Sequence, residues 1–148
     1  MAKFPTPKKF TPRNPKKYAG DPSNIIARSN LENRVFKYLD MNPQIAVWAS
    51  EEIYIPYVSP LDDPSLGKMH RYFIDVIIKT SKGEIFFVEI KPDSQTRPPK
   101  KSKNTKRYLR EVSTWLVNEA KWEAAKIYAE KRGGKFITIT EKDIGGYS

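Results

Sequence analysis

At 148 residues with a formal net charge of +10, the chain can bury one hydrophobic core and is too short for two ordinary domains. It has no cysteine, which excludes disulfides and thiolate metal sites and makes an intracellular setting the expectation. No apolar run approaches a membrane span or a signal region, and the positive charge is clustered, so nucleic acid is the expected polyanion before any membrane.

Residues 1–22 read as a basic, proline-rich arm before a single domain at 23–148. Lys3, Lys8, Lys9, Arg13, Lys16 and Lys17 are interleaved with Pro5, Pro7, Pro12, Pro15 and Pro22, and no acid precedes Asp21. Proline excludes a regular helix or a central strand, so the arm should be extended. Phe4, Phe10 and Tyr18 can stack on bases or anchor the arm to its own domain or to a protein partner; a disordered solubilising tail is the alternative.

A first helix is expected from Asn30 to about Asp40. Ser29-Asn30-Leu31-Glu32 matches a capping box, with Leu31, Val35, Phe36 and Leu39 as the apolar stripe. On this reading Glu32 caps its own helix, and Asn42-Pro43 ends it. Residues 44–60 hold one or two strands, in which Ile53, Ile55 and Tyr57 alternate and Pro56 marks an edge. Glu51 and Glu52 read as solvated strand-end charges. Residues 61–68 are a loop.

A hairpin follows, residues 69–79 and 84–91, and its near-continuous apolar arms predict central strands buried on both sides. A carboxylate inside such a run is costly unless paired or bound to a metal, yet Asp75 and Glu89 both lie there. Alternation puts Glu89 and Lys91 on one face with Ile85 and Phe87. A three-residue turn at Ser81-Lys82-Gly83 pairs Thr80 with Glu84 and so sets Asp75 opposite Glu89. Gly83 suits the left-handed position that this loop length needs. His70 falls outside this group and reads as a core or surface residue.

The strongest charge run begins directly after Lys91. Arg97, Lys100, Lys101 and Lys103 surround Pro98-Pro99 and continue into Lys106, Arg107 and Arg110. This position beside the carboxylates predicts phosphate contacts. Residues 105–132 read as a helix with a break near Asn118 and a core stripe of Leu109, Val112, Leu116, Ala120, Ala124 and Ile127. Trp115, Trp122 and Tyr128 read as core or interface. Gly133-Gly134 stops the helix, and residues 135–140 alternate as a last strand.

Asp75 with Glu89-Ile90-Lys91 resembles the core of the PD-(D/E)XK nuclease superfamily. Ala27-Arg28-Ser29 with Glu32, Ser50-Glu51, and the run from His70 to Asp75 are similar to the TnsA-like endonuclease branch. Gly20-Asp21-Pro22, Trp48-Ala49-Ser50-Glu51-Glu52 and Asn118-Glu119-Ala120-Lys121-Trp122 resemble the head-completion nucleases of T-even-type tailed phages. The resemblance spans nearly the whole chain. Two departures are Ile74, where the superfamily name leads one to expect proline, and Glu89, where the TnsA branch often has glutamine.

The resemblance implies an α/β fold (an α+β mixed sheet) with a restriction-endonuclease-like αβββαβ core behind the N-terminal arm. It implies a metal-dependent DNA endonuclease that hydrolyses phosphodiester bonds in phage head completion after packaging. Asp75, Glu89, the Ile90 carbonyl and Glu32 would hold Mg²⁺, with Mn²⁺ able to substitute, and no small-molecule cofactor is implied. Lys91 would orient the nucleophile or stabilise the scissile phosphate, while Arg97, Lys100, Lys101, Lys103, Lys106 and Arg107 contact DNA. Phage portal or neck proteins are the implied partners, in the host cytoplasm during assembly and then in the virion head or neck. The rival readings are a catalytically inactive DNA-binding neck or plug protein, and a transposase-type or junction-resolving nuclease.

Overall fold

The structure is a computed structural model and describes residues 3–145, with the side chains of residues 3–5 outside the description. Strands β1 (Lys3–Phe10) and β2 (Ile25–Ser29) lead into helix α1 (Asn30–Met41) and strand β3 (Ile45–Ser50). A pair, β4 (Tyr54–Tyr57) and β5 (His70–Phe73), precedes β6 (Val76–Thr80), β7 (Ile85–Ile90), helix α2 (Thr105–Lys131) and β8 (Lys135–Ile139). The central sheet runs β3-β6-β7-β8, antiparallel except for the parallel β7–β8 pair. With α1 and α2 this is an αβββαβ core in a mixed sheet, and the β1–β2 and β4–β5 hairpins are additions to it.

Each face of the sheet carries its own apolar layer. Val76, Ile78, Val88 and Ile90 pack with Leu31, Val35, Phe36 and Leu39 of α1. Ile77, Ile85 and Phe87 face the other way, against Ala125 and Ala129 of α2 and against Ile55, Tyr57 and Tyr72 of the small hairpin. The α1 stripe is the predicted one, and Ser29 caps the helix by accepting from the Glu32 N–H at 3.1 Å. The β6–β7 turn is also as expected. Val76 pairs with Val88, Lys79 with Ile85, and Gly83 takes φ +86°.

Three expectations are corrected. The first hairpin arm is two strands, because the chain breaks at Ile74-Asp75 and β5 pairs with β4 rather than with β7. Tyr72 and Ile74 lie on the α2 side while Val76 lies on the α1 side, so the alternation of side chains changes phase at the break. Second, α2 is continuous through Asn118, and Leu109, Leu116 and Ile127 are exposed. Ala120 and Ala124 of the expected stripe do face the sheet, joined by Val117, Ala125, Tyr128 and Ala129, and the small residues let the helix axis approach the strands.

The third correction concerns the arm. The arm packs on the core, with Phe10 and Tyr18 each only 6% exposed within the α1-side layer. Phe10 sets its ring edge-on to Phe36 and Trp48, and Tyr18 does the same to Trp48 at 4.8 Å. Lys17 Nζ donates to the carbonyls of Leu39, Asp40 and Asn42 at 2.8–3.0 Å, closing the C-terminus of α1. The N–H groups of Arg13 and Asn14 donate to the buried Asp40 carboxylate. Of the three aromatics expected to stack on bases or to anchor the arm to its own domain or to a partner, Phe10 and Tyr18 dock on the domain itself, and the Phe4 side chain lies outside the described residues.

Candidate active site

The site forms where β6 begins and β7 ends. Glu89 is the last outward step of β7 on the α2 face, and it is 7% exposed in a layer of aromatic and aliphatic side chains. Two donors hold one of its oxygens: Tyr72 Oη at 2.6 Å and Trp122 Nε1 at 2.8 Å, both to Oε2. The β6–β7 register carried one step further places Asp75 opposite Glu89, near enough for each charge to act on the other. Asp75 Oδ2 also accepts the Ile90 N–H at 2.7 Å. In an extended strand the N–H and C=O of one residue face the same neighbour, so the Ile90 carbonyl lies on the Asp75 side as well.

Electrostatics mark this pair as unusual. Burial and the adjacent Glu89 charge hold the Asp75 carboxyl well above its ordinary value of 3.8, outweighing the Ile90 N–H, which pulls the other way. Tyr72 is pushed up by burial and by the Glu89 charge, so its hydroxyl stays protonated and donating. Two carboxyls facing each other in a largely apolar setting are an arrangement that a hard divalent ion relieves, since Mg²⁺ prefers carboxylate and carbonyl oxygens. The donor set present, two carboxylates and a strand-end carbonyl, fits such an ion.

Lys91 comes next on the same strand face, half-buried just past the end of β7, with its N–H bonded to the Ile139 carbonyl at 3.1 Å. Glu32 is placed differently. It belongs to α1, which covers the opposite face of the sheet, and its carboxylate accepts from Ser29 Oγ at 3.3 Å. Its charge is felt at Asp75, but among the described residues no third acidic or histidine side chain joins Asp75 and Glu89 in a metal-binding group. His70 bonds Asp62 at 2.5 Å, clear of the pair. Glu51 is not a solvated charge: it pairs with Arg28, takes φ +54°, and donates its N–H to the Asp75 carbonyl at 3.3 Å.

The basic run after Lys91 folds back against the first half of α2. Together they enclose a cleft of about 900 Å³, whose walls include Arg97, Lys100, Arg107 and Arg110. Lys101, Lys103 and Lys106 are exposed but do not line it. Trp115, Asn118 and Thr114 line the same cleft, which gives Trp115 a place outside the core. Tyr72 and Trp122 are the residues that sequence reasoning missed as site residues. The phase change at Asp75 hides Tyr72. The aromatic character of Trp122 suggested packing, when its indole N–H is what the site uses.

Two comparisons show which known proteins the chain is similar to. Residues 42–141 match the model of the TnsA-like endonuclease N-terminal domain, a span that holds Asp75, Glu89 and Lys91 and leaves Glu32 outside. The chain is 46% identical over 141 residues to the protein named "Head completion nuclease" of Enterobacteria phage T4, covering 92% of this chain and 91% of that one. By the family match across most of its length and by this identity, the chain belongs to the TnsA-like endonucleases.

Proposed function

We propose that this nuclease hydrolyses DNA phosphodiester bonds with a divalent cation, Mg²⁺ or Mn²⁺, held by Asp75, Glu89 and the Ile90 carbonyl. One observation carries the reading: a buried carboxyl, Glu89, and a half-buried one, Asp75, meet at a strand end, with Lys91 next on the same face. A bound cation there would neutralise charge on the scissile phosphate and acidify a water molecule. The chain's own residues then have separate tasks. Tyr72 and Trp122 hold Glu89 Oε2 and leave Oε1 for the ion or for Asp75. Lys91 places its ammonium beside the phosphate, and Glu32 adds its charge to the field at Asp75 without being a ligand.

The phage T4 relative's name places that protein in head completion. By the same reading this chain trims DNA at the packaged head, in the host cytoplasm during assembly, beside portal or neck proteins. Supercoiled plasmid incubated with the pure protein in Mg²⁺, Mn²⁺ or EDTA tests the chemistry. Cleavage is expected with either metal and not in EDTA. Asp75→Ala and Glu89→Ala should abolish it, and Lys91→Ala should slow it by about two orders of magnitude, the scale of losing one positioned electrostatic group. A variant lacking either carboxylate that cuts like wild type would remove these residues from the chemistry.

A further inference from the structure

We infer that the cleft between residues 93–104 and α2 is a binding site for unpaired DNA, in which a base stacks on Trp115 while arginine and lysine side chains at the rim hold its backbone. The inference rests on the nuclease reading and specifies its substrate class: a single-stranded or frayed segment beside the cut.

Three observations carry it. The first is the chemistry of the walls. Arg97, Lys100, Arg107 and Arg110 contribute four cations and Glu111 one carboxylate. Arg97 is tied to Asp93 and Arg107 to Glu111, whereas Lys100 and Arg110 have no carboxylate partner among the described residues. Those two are therefore available to phosphates without breaking an existing pair. The second is the position of the aromatic. Trp115 is half-buried and lines the cleft together with Thr114 and Asn118, which can bond a base edge. In an intact duplex the base faces are covered by their neighbours, so a recessed ring has nothing to stack on. An unpaired base presents its whole face, and the combination of a cationic groove with an aromatic platform is the recurrent solution for single strands. At about 900 Å³ the cleft also has the capacity to take a base with its sugar.

The third observation is continuity with the carboxylates. Trp115 packs edge-to-face on Trp122 with ring centroids 5.4 Å apart, and Trp122 donates to Glu89 at 2.8 Å. A nucleotide on Trp115 is thus one side chain away from the residue that holds the proposed metal ligand. The cleft wall is also the segment that leaves the active strand directly after Lys91. Asp75, Glu89 and Lys91 do not line the cleft themselves, and the Trp115–Trp122–Glu89 chain is what joins the two sites.

The test separates binding from cleavage. Fluorescence anisotropy in EDTA, with the full chain and a labelled single strand of about twelve nucleotides or the matching duplex, measures affinity without chemistry. Trp115→Ala is expected to weaken single-strand binding roughly tenfold, as expected for removing one base–aromatic stack, and duplex binding by less than about twofold. Trp115→Phe, which keeps an aromatic face, should restore most of the single-strand affinity, and thermal melts establish that both variants are folded. Equal weakening on both substrates, or none on the single strand, overturns the inference. Because plasmid cleavage is scored separately, a chain that binds single strands through Trp115 but never cuts overturns the nuclease reading alone. A chain that cuts but ignores the Trp115 substitution overturns the cleft alone.

Discussion

Asp75 and Glu89 are held in place by different groups, and each can be perturbed alone. Glu89 is fixed by two neutral donors, Tyr72 and Trp122, neither of which is tied to a charge that would move with pH. Groups that orient a metal ligand typically contribute ten- to a hundredfold in metal affinity or activity. Tyr72→Phe should therefore raise the Mg²⁺ concentration for half-maximal cleavage by roughly tenfold while keeping most of the rate at saturating Mg²⁺. A lowered maximal rate with no change in Mg²⁺ dependence would show instead that the hydroxyl acts on the substrate. Asp75 supplies a thermodynamic signature. Its carboxyl titrates well above 3.8 in the folded chain, because burial and Glu89 disfavour its charge. A raised carboxyl value means that the folded state binds the proton more tightly than the unfolded state. Its stabilising effect is complete below the unfolded value and is lost as pH rises through the folded one. In EDTA, Asp75→Asn should thus gain in melting temperature over wild type as pH is raised from about 4 to 8, and added Mg²⁺ should narrow the gap by stabilising wild type alone. A constant gap across that range would argue that Asp75 is ionised without cost.

At the scale of elements, legibility followed how local the determining physics was. The β6–β7 register could be read because a three-residue turn with Gly83 at φ +86° leaves one pairing, and that pairing sets Asp75 against Glu89. Helix α1 could be read because Ser29, Glu32 and the Leu31 stripe all belong to it. The buried side of α2 could not. Apolar residues are distributed around that helix, and the choice of Ala125 and Ala129 over Leu116 and Ile127 is made by the strands it meets. Tyr72 was hidden for a related reason: period-two counting carries no information across the break at Ile74-Asp75. Lys17 was read as arm charge, yet it completes α1 by meeting three terminal carbonyls at 2.8–3.0 Å. A cation at a helix C-terminus contributes up to about 2 kcal/mol when partly buried. Lys17→Met keeps the stem and removes the charge, so it should lower the melting temperature by up to about 4–8 °C, given about 2–4 °C per kcal/mol in a domain of this size. Lys16→Met, one residue earlier and exposed, should change it little. Equal effects would mean that general charge, not the cap, is what Lys17 supplies.

In the whole molecule, positive charge is divided between a structural segment and a functional one. The arm is basic, but its aromatic and polar groups are built into the α1-side layer: Phe10 and Tyr18 lie against Trp48, Lys17 lies on α1, and the Arg13 and Asn14 N–H groups lie on Asp40. The cleft cations Lys100 and Arg110 are exposed, without carboxylate partners among the described residues, and away from that layer. Removing each set should consequently produce a different kind of failure. Truncating a buried phenylalanine to alanine costs about 3–5 kcal/mol by itself, and domains of this size have only about 5–15 kcal/mol in total. Deleting residues 1–17 takes away Phe10, Lys17 and the donors to Asp40 together. The truncated chain is expected to lose its cooperative thermal transition, and cleavage disappears with it at any salt concentration. Lys100→Gln combined with Arg110→Gln should leave the melting temperature within about 1–2 °C of wild type, because both are surface changes. Its DNA affinity should fall, and the slope of log K against log salt should flatten by about 1.4–1.8, roughly 0.7–0.9 for each phosphate that the variant no longer neutralises. Melting curves and a salt titration on the same two preparations decide the matter. If the truncated chain melts like wild type and loses only salt-dependent affinity, the arm is a DNA-binding segment and its packing against Trp48 is dispensable.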